Sequence, residues 1–113
     1  MYFTPWDEKR RDFRLKSGLP IHYDSSSDAA SGATLTQDIS EGGVSMLCEE
    51  FIPRLSRMSM QINLMPNKLV AASGEVKWAQ RITHSYRYQV GLEFKDLDND
   101  VRRSISEYVA SHR

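Results

Sequence analysis

From Met58 to Leu64 every second residue is apolar: Met58, Met60, Ile62 and Leu64 alternate with Ser59, Gln61 and Asn63. A period of two belongs to a strand with one face on a core and the other in water, and no helix presents it. The same period recurs along the chain. Leu19, Ile21 and Tyr23 alternate with Pro20 and His22 within Gly18–Asp24, and Val44, Met46 and Cys48 share a face of Gly43–Cys48. Val70, Ala72, Gly74, Val76 and Trp78 line one long strand, and Tyr86, Tyr88, Val90, Leu92 and Phe94 another. In Ala33–Ser40 the pattern is inverted in chemistry: Thr34, Thr36, Asp38 and Ser40 share one face, while Leu35 and Ile39 point the other way.

Between these runs lie turn formers: the low-complexity linker Asp24–Gly32, a loop at Phe51–Leu55 with Pro53, Pro66-Asn67, and a turn near Ile82–Ser85. At the end of the chain the period changes. Val101, Ile105, Tyr108 and Val109 follow i, i+4, i+7 and i+8, the stripe of an amphipathic helix. Asp98 or Asp100 can cap its start, and His112 and Arg113 suit its negative end. Six short strands and one terminal helix predict a mainly β protein, a six-stranded antiparallel β-barrel closed by a C-terminal α-helix. The expected division is an N-terminal arm over 1–17, the barrel over 18–97 and the helix over 98–113.

With 113 residues the chain forms one domain, large enough for a real core. Fifteen basic and fifteen acidic side chains give no net charge, whereas a domain that neutralises many phosphates of a nucleic acid is basic. Polymeric nucleic acid is therefore not the expected partner. The lone Cys48 excludes an internal disulfide and a multi-cysteine zinc site, and its apolar strand-mates predict a buried, inert thiol. His22, His84 and His112 are scattered without ligand spacing, so no metal and no cofactor is expected. No apolar run approaches the roughly 18 residues of a membrane span, and the first residues lack a signal peptide's order, which makes the cytoplasm the expected compartment.

Charge is concentrated locally. Arg10 and Arg14 lie four residues apart within KRRDFR, and Asp38, Ser40 and Gly43 form Asp-x-Ser-x-x-Gly at the end of a predicted strand. Arginine offers a flat, permanent cation that grips phosphate or the O6/N7 edge of guanine and can stack on a base. Aspartate accepts from the N1–H and N2–H₂ of guanine, and a serine and glycine backbone can approach phosphate closely. Strand parity predicts Asp38 and Ser40 side by side on the outward face, with Ile39 buried between them. Gly42 and Gly43 would permit backbone conformations and a close approach that a Cβ blocks. No nucleophile elbow, P-loop or triad order is present, so catalysis is not expected.

The order Arg-x-x-x-Arg followed by Asp-x-Ser-x-x-Gly resembles the PilZ family. Gly74-Glu-Val76-Lys-Trp78 and Tyr88-Gln-Val90-Gly91-Leu92-Glu-Phe94 look like that family's later strands, ahead of its closing helix. The resemblance implies a bacterial receptor for the second messenger cyclic di-GMP, with Arg10, Arg14, Asp38, Ser40 and Gly43 as ligand-binding residues. Lys9, Arg11, Gly42 and Gly91 are weaker candidates: Lys9 for an extra phosphate, Gly91 for a strand bulge or a close approach to the ligand. An arm that closes over the ligand would signal through an unidentified protein partner. The alternative is a PilZ-fold adaptor in motility or pilus function that does not depend on the nucleotide. A third reading, a barrel for single-stranded nucleic acid, needs exposed aromatics interleaved with basic residues. Parity with Val76 and Val90 instead assigns Trp78, Tyr86 and Tyr88 to the core or barrel lining.

Overall fold

The computed structural model describes residues 14–25, 30–64 and 67–112. Strands β1 (Leu15–Lys16), β2 (Pro20–Ser25), β3 (Ser31–Ile39), β4 (Gly43–Cys48), β5 (Arg57–Leu64), β6 (Lys68–Arg81) and β7 (Tyr88–Lys95) precede one helix, α1 (Asn99–Ser111). Every pairing is antiparallel. The strands β2, β5, β6, β7, β4 and β3 hydrogen-bond in that order and β3 returns to β2, so six strands close a barrel with no free edge. Strand β1 is the addition: it continues the β2 side of β3, with Leu15 opposite Ile39 and Lys16 opposite Asp38. The segment expected to be an arm therefore ends as part of the sheet.

The unbroken alternations are where the sequence places them. Met58, Met60, Ile62 and Leu64 face inward beside Leu19, Ile21, Val44, Met46, Val76, Val90 and Leu92, all essentially without solvent exposure. Burying each such side chain contributes about 1.5–3 kcal/mol before the entropy cost of ordering it. Strands β2 and β3 run further into the expected linker than the sequence suggests, with Asp24 paired to Ser31.

Two strands depart from simple parity, and both carry a bulge. In β3 the register shifts between Thr36 and Asp38, and in β6 between Val76 and Trp78, leaving Gln37 and Lys77 as the extra residues. A bulged residue exchanges the two faces for everything beyond it. Thr36 consequently faces the core, where its Oγ1 accepts the Leu19 N–H at 2.9 Å and shares a 2.8 Å hydrogen bond with the Ser17 hydroxyl. Leu35, expected to share a face with Ile39, is instead 55% exposed. Beyond Lys77 the change of face carries Trp78 to the outside, which corrects its assignment to the barrel lining. Tyr86 is corrected as well: it lies in the β6–β7 turn and is 88% exposed. Tyr88 does pack against the core.

Helix α1 buries Ile105 and Val109, with Val101 and Tyr108 packed beside them. Asp98 is its N-cap residue but makes no side-chain capping bond. Near the C-terminal end the His112 ring stacks on Tyr108 with centroids 4.1 Å apart. Ser106 Oγ donates to Glu41 at 3.1 Å, which ties the helix to the β3–β4 turn.

Candidate functional site

That turn carries the Asp-x-Ser-x-x-Gly residues, and the strands on either side of it fix their positions. Asp38 follows the β3 bulge, lies opposite Ser45 of β4, and faces outward. Ser40 behaves differently. It has left the strand and is fully buried, so the expected pair of displayed polar groups does not form. Its amide donates to the Gly43 carbonyl at 2.9 Å, and its hydroxyl takes the Gly42 N–H at 3.3 Å and lies 3.4 Å from the same carbonyl. Ser40 thus shapes the turn on which Asp38 is mounted. Gly42 and Gly43 do not use left-handed backbone, since no described glycine has a positive φ. The Gly42 carbonyl accepts the Phe94 N–H at 2.8 Å, and Gly43 opens β4 opposite Glu93.

Arg14, the second arginine of the Arg-x-x-x-Arg motif, donates through Nη2 to Asp38 Oδ1. The two side chains are 22% and 27% exposed, so the pair is partly screened by water without being solvated like a surface bridge. Strand β1 makes this contact possible. Its pairing with β3, extended by the Ser17 N–H to the Gln37 carbonyl at 3.0 Å, holds the chain leaving Arg14 beside Asp38. Lys9, Arg10 and Arg11 lie outside the described residues.

Asp38 begins a row that crosses four strands on the outer face. Asp38 is opposite Ser45, Ser45 is opposite Gly91, and Gly91 is opposite Trp78. Gly91 is where the indole rests: a Cβ on it would meet Trp78 Cε2 at 2.3 Å. Within the fold, the group that packs against Gly91 is the Trp78 indole. Ser45 Oγ and Trp78 Nε1 are shut off from water and have no hydrogen-bond partner among the described residues. A buried polar atom left in that state costs about 1–3 kcal/mol. Neither residue was expected at the site. The signals were present in part: Ser45 interrupts an apolar run, and a glycine opposite a tryptophan marks a packed ring.

The next row is charged. Glu75 and Glu93 are directly opposite on β6 and β7 and would repel, but Lys77 bridges them at 2.8 and 3.2 Å, and Lys95 lies 3.2 Å from Glu93 and 3.9 Å from Glu75. The hydrogen bond from Lys77 holds the Glu75 carboxyl below its usual range, aided by Lys95 and Arg57 against a smaller effect of burial. At Glu93 burial pulls upward, but Lys77 and Lys95 together outweigh it and the net shift is downward. The hydrogen bond to Glu75 raises the Lys77 ammonium in turn. On the other side of β4, Cys48 is buried and its thiol is pushed up to about 11 by burial. Tyr23 is raised by burial first and then by Cys48, and its hydroxyl donates to Glu50 at 3.1 Å.

A groove of about 460 Å³ opens on the outer face of β2, β5 and β6, between His22, Asp24, Gln61, Ser73 and Asp98. No motif residue lines it. Among the described residues, the candidate site is a surface of one cation, one carboxylate, a tight turn and an aromatic ring. It can take a flat, multiply hydrogen-bonding anion.

The profile of the PilZ domain family matches residues 8–111. No curated protein matches the sequence. Among solved structures, the fold is similar to the Inhibitor of motility of Bacillus subtilis (MotI/DgrA), with a TM-score of 0.77 and 15% identity over 91% of this chain and 50% of that one. The PilZ domain of YcgR from Escherichia coli, solved with c-di-GMP, gives 0.71 and 15% over 92% of this chain and 91% of that one. The MrkH–c-di-GMP complex of K. pneumonia gives 0.76 and 19% over 91% and 52%. The chain spans about half the length of the MotI and MrkH chains. At such identities the likeness is one of fold.

Proposed function

Because this chain belongs to the PilZ domain family, we propose that it is a receptor for cyclic di-GMP whose arm changes conformation on binding and which signals through a protein partner. The observation that carries this reading is the Arg14–Asp38 ion pair, in which residues from two motifs 24 positions apart meet at one point. YcgR and MrkH, which share the fold, are solved with this ligand.

The chemistry follows from the two side chains. Asp38 offers a carboxylate to the N1–H and N2–H₂ edge of one guanine. Arg14, freed from Asp38, turns its fork to a phosphodiester or to O6/N7. The ligand exchanges one charge-assisted hydrogen bond for several, to Arg14 and to Asp38, each contributing about 1.5–3 kcal/mol, so the exchange favours the ligand. Arg10 and Lys9, from the preceding residues, would add cations over the phosphates. Arg14 leads directly into β1, a strand of two residues, so a change at the guanidinium reaches the sheet edge at once. A partner reading that edge would respond to the nucleotide with no chemical step.

Titration calorimetry tests the reading. Wild type should bind cyclic di-GMP, and Arg14→Ala or Asp38→Ala should each weaken it about tenfold or more, the loss of one charge-assisted contact. Absence of binding heat, or wild-type affinity in both variants, would refute it.

A further inference from the structure

We propose that the β4–β5 loop, with the β6–β7 turn beside it, is a docking surface for an acidic, apolar segment of another protein. The proposal takes up the protein partner of the reading above and gives it an anchor apart from the β1 edge. It does not depend on the nucleotide.

Three observations lead there. The first is exposure. Phe51, Leu55 and Tyr86 are three of the five exposed large apolar side chains among the described residues, and they belong to these two connections. Within the loop only Ile52 is buried, pinning the backbone to the core, while Pro53 and Arg54 face water. Loop and turn are joined by the Phe51 ring, edge-on to Tyr88 at 5.6 Å, and by Arg87, 3.9 Å from Glu49. The second observation is backbone. Leu55 has φ 75°, in the left-handed region that glycine or asparagine takes at less cost than leucine. Its N–H, bonded to the Val76 carbonyl at 2.7 Å, holds that conformation. A bulky side chain in disfavoured backbone, and 56% exposed, is not there for the core. The third is charge. Arg54, Arg81 and Arg87 are all exposed at this surface, and the Arg54 guanidinium has no partner among the described residues.

Aromatic rings and arginines are the side chains that dominate interface energies. Cations set beside apolar groups call for carboxylates and apolar side chains in one segment, as on an acidic amphipathic helix. Two other occupants fit less well. A second copy in isologous contact would set the arginines against themselves. An anionic lipid surface would meet Glu49 and Glu50, both exposed at the root of the loop. The competing account is structural: the loop serves to seat Ile52. Under that account Arg54 and Leu55 do nothing for binding.

Selection of random peptides displayed on phage, against the full chain, supplies the probe. Enriched sequences should combine Asp or Glu with Leu, Ile or aromatic residues. A fluorescein-labelled peptide of the enriched sequence, followed by polarisation, should bind about tenfold or more weakly to Leu55→Asn and to Arg54→Glu. Added salt should weaken it on wild type. Leu55→Asn separates the two accounts, because asparagine accepts left-handed backbone: the unfolding midpoint should stay level or rise while peptide affinity falls. The surface is overturned if no such sequence is enriched, or if both variants bind the peptide as wild type does. It is equally overturned if Leu55→Asn instead abolishes self-association of the chain or its binding to phosphatidylserine vesicles. Cyclic di-GMP calorimetry on the same variants should match wild type. A wild type that binds the peptide but not the nucleotide would refute the receptor reading and leave this surface standing; the reverse result would do the opposite.

Discussion

Substituting Gly91 by alanine tests the seating of Trp78 directly. The added Cβ would lie 2.3 Å from Cε2, 2.4 Å from Nε1 and 2.7 Å from Cζ2 of the indole. Non-bonded heavy atoms settle at about 3.5–4.0 Å, so the ring must retreat by more than an ångström. All three atoms belong to one rigid bicycle, which moves as a whole. Flanking Val90 and Leu92 are fully buried, and Gly91 is paired to both Ser45 and Trp78, so the strand itself cannot yield. Overpacking of this kind costs about 1–3 kcal/mol. For a domain of this size that corresponds to a fall in Tm of roughly 4–12 °C. Thermal unfolding followed by circular dichroism measures it, and a double-mutant cycle with Trp78→Ala assigns it: most of the loss should vanish once the ring is gone. An unchanged Tm for Gly91→Ala, or a double variant as unstable as the two single losses combined, would show that the indole is not held on Gly91.

Thr36→Val keeps the shape of the side chain but removes the acceptor for the Leu19 N–H, leaving that buried donor unpaired. It should cost about 1–3 kcal/mol in urea unfolding, and an unaltered midpoint at unaltered slope would count against the bond. The Glu75–Lys77–Glu93–Lys95 cluster predicts an acid sensitivity of definite sign. Both carboxyls titrate below their unfolded value of about 4.3, so their contribution is complete above that pH and is lost as pH falls through the folded values. Glu75→Gln with Glu93→Gln should flatten the stability profile below about pH 4.3; a profile identical to wild type would refute the assignment.

What the sequence discloses here depends on whether a strand is interrupted. In β5 the alternation from Met58 to Leu64 runs unbroken, and every inward position is as expected. Strands β3 and β6 also show alternation, but Gln37 and Lys77 carry no mark of a bulge, being neither glycine nor proline. Faces inferred across them come out reversed, as at Leu35 and Trp78. Ser40 misleads for another reason: parity describes strands, and Ser40 has already entered the turn. The two residues of β1 are too few to show any period. The Arg14–Asp38 contact does not depend on those faces, because pairing between β1 and β3 brings the two side chains together.

The two bulges carry a consequence for comparing this surface with those of similar folds. An ungapped alignment through β6 equates Trp78 with whatever follows an inward residue by two, and so matches a surface ring to a lining side chain. At the 15–19% identity separating this chain from the MotI, YcgR and MrkH structures compared above, a misplaced gap at Gln37 would misalign Asp38, and one at Lys77 would misalign Trp78. The outer face of each strand is thus set by spacing, and a lost or gained residue in either strand would reassign its surface without touching a motif.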